Sequence, residues 1–299
     1  MDENKNSLRS GGSGESGLVE HLGGRVRATG LVLVTGFIVF GLFFFNSFAL
    51  RSGEDGLGLM ALGAFQLLGA GVCLYLVARG NLPDASLIDW LASIVAILLG
   101  GLGFAGASIT FFAVFLIFRI PQDLHTKAAG TVAAALAVQA VWAPLIFSKI
   151  SFLLLQIDAG VVGWLMGLFL PGSTWAENIV STPSGHNVEI TSACASFHNL
   201  SLASLCWVTL TMLHRPYWVK SDLYVGAFAM FIQFVLNVWR LVFVCFNLPM
   251  YEFWHDGIGK HIFSAIATTS AILVVQLYLV KDEERRQRKA ALVAPDIAR

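Results

Sequence analysis

Three residues in the second half of the chain have types and positions suited to acyl-transfer chemistry. Cys194 follows VEITSA at the start of an apolar run, Arg240 ends NVWR late in the next run, and His255 lies in WHDGIG before the last one. A thiol reacts as its thiolate, which a nearby imidazole or a helix N-terminus favours. The imidazole could take the thiol proton, and the guanidinium could stabilise an oxyanion or hold a substrate carboxylate. This combination predicts a thioester mechanism with water or an amine as the acceptor.

Composition indicates an integral membrane protein. Of the 299 residues, 56% are apolar and 13% are charged, whereas a soluble domain carries about a quarter charged residues. The formal net charge is zero and no basic patch is interleaved with aromatic residues, so no nucleic-acid partner is predicted. The lipid bilayer is therefore the first partner that the sequence predicts.

Apolar runs predict an all-α polytopic membrane protein with about eight transmembrane helices. Crossing roughly 30 Å of hydrocarbon takes about 20 helical residues. Runs of that length cover residues 28–50, 56–78, 129–148, 191–213, 222–247 and 261–280. A longer run, 86–119, has several glycines near its middle and is interpreted as two shorter spans joined by a tight bend.

Charge sets the predicted orientation. Residues 151–170 form another apolar segment, interrupted by Asp158 and by glycines, that could be a ninth span or an interfacial helix. If this segment does not cross, most of the 19 basic residues lie on the side of the N-terminus, which the positive-inside rule identifies as cytoplasmic. We therefore predict a multi-pass protein of the cell inner membrane, with both termini in the cytoplasm and Cys194, Arg240 and His255 near the periplasmic face.

Three regions follow from this topology. Residues 1–24 are rich in Gly, Ser and Glu and are predicted to be a disordered cytoplasmic tail, 25–281 form the integral membrane domain, and 282–299 form a basic cytoplasmic tail. On the outer side, residues 172–190 contain a Thr-Pro-Ser-Gly turn signal between β-branched stretches. This pattern predicts a small hairpin or extended flap that leads into Cys194.

The predicted topology brings the reactive groups to one depth. Cys194 is expected in the first turns of a span that enters from the outside, and Arg240 about 10 Å below the outer end of the next span. An arginine within a span is costly, so it marks a functional candidate, here as oxyanion stabiliser or substrate anchor. Asn237, on the same helical face, is a candidate for substrate binding, and His255 in the outer loop is a candidate acid/base.

Plainer interpretations of these residues stay open. Cys194 could be a small buried hydrophobe, and Arg240 could be a structural hydrogen-bond hub. The carboxylates of Asp158 and Glu177 are expected in solvent on the outer side. Burial as small apolar side chains is expected of the remaining cysteines, Cys73, Cys206 and Cys245. Their spacing predicts neither a disulfide framework nor a metal site, and no cofactor is predicted.

Other histidines compete with His255 for the role of base. His198 is at i+4 from Cys194 and is therefore expected on the same helical face, one turn deeper in the span. His186, in the predicted flap, and His261, at the start of the last run, are weaker candidates.

The same motifs resemble those of the exosortase/archaeosortase family of membrane-embedded cysteine transpeptidases. The likeness covers about residues 175–265 and rests on VEITSACAS around Cys194, NVWR ending at Arg240 and HDGIG beginning at His255, in that order. The family pattern has Ser-Gly after the cysteine, where this chain has Ala-Ser. The chain therefore looks like a divergent member.

The resemblance implies cleavage of exported proteins that carry a C-terminal sorting signal, made of a short motif, a transmembrane helix and a basic tail. It implies Cys194 as nucleophile, Arg240 as the essential arginine and His255 as acid/base, with the cleaved protein released or transferred to a surface anchor. A different class remains as the alternative. In a transporter or assembly subunit for surface polysaccharide export, Arg240 and the histidines would line a path for an anionic ligand.

Overall fold

The structure, a computed structural model, describes residues 27–51, 63–192 and 194–297, so the predicted tail 1–24 lies outside it. Most of the described chain is helical, as predicted. The helices are α1 Ala28–Arg51, α2 Ala64–Arg79, α3 Leu87–Gly101, α4 Ala105–Phe118, α5 Leu124–Ala137, α6 Ala143–Phe169, α7 Ser196–His214, α8 Lys220–Phe246, α9 Leu248–Tyr251 and α10 Ile258–Ile297. Residues Val138–Trp142 and Glu252–Asp256 are π-helical. The strands are β1 Thr174–Ala176, β2 Ile179–Ser181 and β3 Asn187–Glu189.

The predicted count of about eight spans is wrong. Within the described ranges, 4 helical stretches are long and apolar enough to cross a membrane: Ala28–Ser47, Leu124–Phe169, Lys220–Phe246 and Ile258–Arg288. The apolar helices α2, α3 and α4 have 16, 15 and 14 residues, or about 24 Å at most, against roughly 30 Å of hydrocarbon. The predicted span 56–78 begins in residues 56–62, which lie outside the described ranges, and the predicted span 191–213 includes residues before Ser196 that are not helical.

The largest difference from the predicted topology lies between residues 124 and 169. The sequence predicts a span at 129–148 and a separate segment at 151–170, but the structure has one helical stretch of 46 residues. α5 continues through the π-helical segment directly into α6, which makes the stretch about 69 Å long. Polar Ser148 and Lys149 interrupt the hydropathy there without breaking the helix, because both residue types are tolerated in helices.

The run at 86–119 forms the predicted pair of short helices. Gly103, with φ +90°, reverses the chain between α3 and α4. At the open end of this hairpin, Ser86 and Asp89 form a capping box that begins α3. Arg119 donates to both oxygens of the same carboxylate, Nε to Oδ1 at 2.7 Å and Nη2 to Oδ2 at 3.0 Å, and both side chains are buried. This bidentate ion pair ties the two helices together.

The central helix is α7, which contacts α2, α5, α6, α8 and α10. One apolar cluster joins its C-terminal half to α1–α5, and another joins it to α8 and α10. A third cluster contains Cys194 together with side chains from α6, the sheet and α8. The approach of α7 to α8 is close at Gly226, where a Cβ atom would overlap the Trp207 ring. The residues before α7 are therefore held by several elements at once.

The predicted flap is a three-stranded antiparallel sheet with the order β1-β2-β3. Gly185 adopts φ +83° in the turn between β2 and β3, within the Thr-Pro-Ser-Gly signal. Trp175 of β1 lies against Gly163 of α6, where a Cβ atom would come within 2.8 Å of the ring. Gly163, one of the glycines that interrupt the apolar segment of α6, thus makes room for the flap.

The basic C-terminal segment is helical as far as the structure describes it. α10 runs from Ile258 to Ile297, so the predicted boundary between membrane domain and tail, at 281/282, falls inside one helix. Just past that boundary, Asp282 pairs with Arg215 at the end of α7 and with Arg286 one turn further along α10. The first turn of the predicted tail is therefore joined to the helical bundle.

Candidate active site

Cys194 lies in a turn immediately before α7. Its side chain is 6% exposed, and its N–H donates to the carbonyl of Thr191 at 3.0 Å. Ala195 is extended, with φ −62° and ψ 140°, and the helix begins at Ser196. The sequence predicts Cys194 in the first turns of the helix. In the structure it lies instead just ahead of the helix N-terminus. The i+4 relation that favoured His198 as base does not hold, because the helix does not include Cys194.

Asp158 holds the N-terminus of α7 from the neighbouring helix α6. Its Oδ2 accepts the Ser196 N–H at 2.8 Å, and the residue is 4% exposed. The expectation that this carboxylate is solvated is wrong, because it takes the capping position that Ala195 cannot fill with its own side chain. The signal was present in the sequence, since a carboxylate within the apolar run LLLQIDAGVVG needs a polar partner.

Asn237 of α8 positions the turn that carries Cys194. Its fully buried amide donates to the Cys194 carbonyl at 2.9 Å and to Ser196 Oγ at 3.0 Å, and its oxygen accepts from Asn199 at 3.0 Å. These bonds use both amide hydrogens and the carbonyl oxygen. Asn237 was predicted to bind substrate, but its partners favour a role in positioning Cys194.

Arg240 follows Asn237 on α8 and contacts the segment that carries His255. Its Nε donates to the carbonyl of Trp254 at 3.4 Å, and its guanidinium lies over the Phe263 ring, 5.0 Å from the centroid. Within the described residues Arg240 has no ion pair, so most of its N–H groups remain available to an anion. The side chain lines a cavity of about 240 Å³ with His198 and with the cationic Lys260.

His255 lies in the π-helical turn before α10. Its Nδ1 is 2.8 Å from Asp256 Oδ1, and its ring stacks on Tyr251 with centroids 4.8 Å apart. An ionised carboxylate only accepts hydrogen bonds, so this pairing leaves Nε2 as the nitrogen that could take a proton. The sequence reasoning missed Asp256, although an acidic residue directly after the histidine in WHDG was the available signal.

Tyr251 connects the cysteine to the histidine. Besides stacking on His255, it packs against the apolar cluster that contains Cys194 and meets the His186 ring edge-on at 6.0 Å. Burial, followed by the negative charges of Asp256 and of a Cys194 thiolate, raises the pKa of the Tyr251 hydroxyl.

The structure thus places the predicted groups around the second half of α8 and the turn that follows it. Among the described residues, Cys194 shares no direct hydrogen bond with Arg240 or His255; the links run through Asn237, Trp254 and Tyr251. Catalytic hydrogen bonds are often long without substrate and tighten when it binds. The competing histidines lie elsewhere around the site. His198 is exposed on the cavity wall, His186 is 3.3 Å from the Val244 carbonyl, and His261 is exposed at the start of α10.

A second cavity, of about 450 Å³, adjoins the turn before α7. It lies between α2, α7 and the start of α6, and Ser192 and His198 form part of its wall. Gln66 donates to Gln139 across it at 2.8 Å, and Gln139 belongs to the π-helical segment. π-Helical turns recur at functional sites. Sequence reasoning missed both glutamines; their position within apolar runs was the only signal.

Comparison of the chain with protein-family models, with curated proteins and with solved structures finds no match.

Proposed function

We propose that this chain is a membrane-embedded cysteine peptidase or transpeptidase that cleaves the C-terminal sorting signal of exported proteins. One observation carries the proposal. Asn237 holds the backbone of Cys194, while Arg240, on the next turn of α8, holds the backbone beside His255. A thiol near a helix N-terminus, a guanidinium that has no ion pair among the described residues and a carboxylate-bound imidazole are the parts that thioester chemistry needs. The motif likeness to exosortases adds the substrate class.

The proposed reaction has two halves. The Cys194 sulfur attacks the scissile carbonyl carbon while His255 takes the thiol proton, and Arg240 stabilises the resulting oxyanion. The C–N bond breaks, His255 returns the proton to the departing amine, and a thioester remains. Water or an amine then attacks the thioester, giving up a proton to His255, and the Cys194 thiol forms again. The Asp256 carboxylate orients the imidazole throughout.

The cavity lined by Ser192, two residues before Cys194, suits a peptide substrate. Its wall combines apolar side chains with the amides of Gln66 and Gln139 and the hydroxyls of Ser192 and Ser201. An extended peptide presents both N–H and C=O groups, which amides and hydroxyls can satisfy together. The anchor helix of such a substrate would remain in the bilayer. The proposal therefore includes an inner-membrane location with this site facing the periplasm.

The decisive experiment replaces cysteines one at a time. An exported reporter carrying a C-terminal motif, an apolar span and a basic tail from the host would be expressed with each variant. Cys194→Ala is expected to abolish processing without lowering the amount of the membrane protein. Cys245→Ala is the matched control, because this cysteine is buried in the same apolar cluster. Full processing by Cys194→Ala would end the proposal.

A cavity lined by cationic side chains supports the alternative function, which is polysaccharide export. Arg240, Lys260 and His198 line a space of about 240 Å³ in which an anionic sugar group would find charge complementarity. The two functions differ in their need for a thiol. An export role predicts that Cys194→Ala retains surface polysaccharide while Arg240→Gln loses it. A peptidase predicts that both variants lose reporter processing.

A further inference from the structure

An apolar groove runs between the first turns of α8 and the last apolar turns of α10, and it measures about 450 Å³. Its walls are mainly Tyr224 and Phe228 of α8 and Val274 and Leu277 of α10. Tyr224 is 78% exposed, Phe228 55% and Leu277 52%. Both helices are among the stretches that are long and apolar enough to cross a membrane. The groove therefore opens toward the space that lipid chains occupy.

Two cations stand at one end of this groove. Lys281 and Arg285 are one turn apart on α10, and both are exposed. Neither forms an ion pair with any residue that the structure describes. The acidic residue of the lining, Asp282, is already bonded to Arg215 and Arg286. Glu283 and Glu284 of the same turn do not line the groove, so Lys281 and Arg285 are the cations that border this end of the apolar channel.

A network of hydrogen bonds, centred on a buried carboxylate, joins α8 to α10 beside the groove. Asp222 is fully buried at the start of α8 and accepts from Arg215 and from the Tyr278 hydroxyl of α10. Tyr278 is also 2.6 Å from Ser221 Oγ. These bonds fix the spacing of α8 and α10 at the charged end, so a ligand would find the groove already formed.

From this arrangement we infer that the groove is a binding site for an anionic phospholipid. One acyl chain lies along the apolar channel, and the phosphate binds between Lys281 and Arg285. Basic residues at the end of an apolar groove between membrane helices match a lipid whose charge and chain are covalently joined. A free phosphate would contact only the two cations. A neutral lipid would occupy only the apolar channel. The site lies about 24 Å along α8 from Arg240 and does not depend on the proposed catalytic function.

The test measures lipid retention by the intact protein. The full chain is placed in nanodiscs of equimolar phosphatidylglycerol and phosphatidylcholine, released, and analysed by native mass spectrometry. Wild type is expected to retain phosphatidylglycerol selectively. The double variant Lys281→Gln/Arg285→Gln is expected to lose about fivefold of that selectivity for each cation removed. Val225→Trp, which fills the groove, is expected to reduce retention of both lipids.

Matched variants and a competitor separate this site from general surface charge. Arg288→Gln removes an exposed cation of α10 that does not line the groove, and should leave selectivity unchanged. Glycerol phosphate, which has the phosphate without the chain, should not displace the lipid at millimolar concentration. The inference fails if the double variant keeps full selectivity, if Arg288→Gln loses as much, or if glycerol phosphate displaces the lipid. Unchanged melting temperatures in phosphatidylcholine alone would show that the variants are folded.

Discussion

Asn237 donates a hydrogen bond to the carbonyl of Cys194 across 2.9 Å, although 43 positions separate them in the chain. The bond joins the middle of α8 to the turn before α7 and fixes the backbone of the candidate nucleophile. Because Arg240 follows one turn later, a single helix positions both the thiol and the cation that the proposed reaction needs.

Replacing Asn237 is expected to impair activity more than stability. Asn237→Ala leaves the Cys194 carbonyl and its neighbours without a partner, which costs about 1–3 kcal/mol, and it also frees the turn that positions the thiol. Reporter processing should fall by about 100-fold or more, because a small misplacement of a reacting group has that effect. Initial rates and thermal melts of the purified variant measure the two effects.

The control for Asn237 lies one turn earlier. Gln233 is also a buried amide of α8, and it donates to the Ala267 carbonyl and to Ser270 Oγ of α10, each at 2.9 Å. Gln233→Ala should cost similar stability while processing stays within a few-fold of wild type. Equal activity losses in both variants would mean that Asn237 acts only through the packing of α8.

Removing the carboxylate beside His255 is expected to slow the chemical step. Asp256→Asn keeps the shape of the side chain but no longer holds Nδ1 as the protonated nitrogen. We expect kcat to fall by about 10²- to 10⁴-fold with KM little changed. Glu252→Gln, in the same turn, removes an exposed carboxylate that has no described bond to the histidine and should be close to wild type. A normal kcat for Asp256→Asn would remove Asp256 from the mechanism.

Adding a side chain where Gly163 contacts Trp175 is expected to displace the flap. Gly163→Ala adds a Cβ atom 2.8 Å from the indole ring, whereas the Cβ of Gly167→Ala meets no atom within 4 Å. The first variant should expose the β1–β3 segment to limited proteolysis and quench or shift the Trp175 fluorescence. Gly167→Ala should leave the flap protected, with stability equal to or up to about 1 kcal/mol above wild type, since alanine is the better helix former. The same protease pattern in both variants would contradict the contact.

Gln139 is expected to influence substrate affinity. Gln139→Leu keeps the approximate volume but removes an amide from the cavity that Ser192 lines, and it leaves Gln66 without its partner. We expect KM for a reporter peptide to rise about tenfold, the effect of a lost hydrogen bond of about 1.4 kcal/mol, while kcat changes less than threefold. Thr131→Val, on α5 outside this cavity, is the control. A change confined to kcat would contradict a binding role for the cavity.

Local signals in the sequence were sufficient for several elements. The alternation of β-branched residues around Thr-Pro-Ser-Gly predicted the flap, and the glycines near residue 102 predicted the bend between α3 and α4. The order of the apolar runs predicted that Cys194, Arg240 and His255 would come together, and the structure links them only indirectly, through Asn237 and Trp254. Each of these inferences depends on residues close together in sequence or on the up-and-down order of helices.

The errors share a different cause. Hydropathy falls at Ser148 and Lys149, but it does not record that the helix continues through these exposed polar residues from Leu124 to Phe169. The N-terminus of α7 is determined by Asp158, whose partner Ser196 is 38 positions away, so no local capping rule could locate it. Asp256 and Gln139 were not predicted as site residues, because exposed carboxylates and single amides are common in any sequence.

The amino-acid sequence by itself determined the helical, membrane-compatible character of this protein and the order in which its reactive residues occur. Both follow from apolar content and from periodicities that act over a few residues. Only the tertiary structure decided which helices are long enough to cross a bilayer, where α7 begins, and which amides hold the turn at Cys194. Those features depend on bonds between distant residues, whose energies are set by the partners that folding brings within about 3 Å of each other.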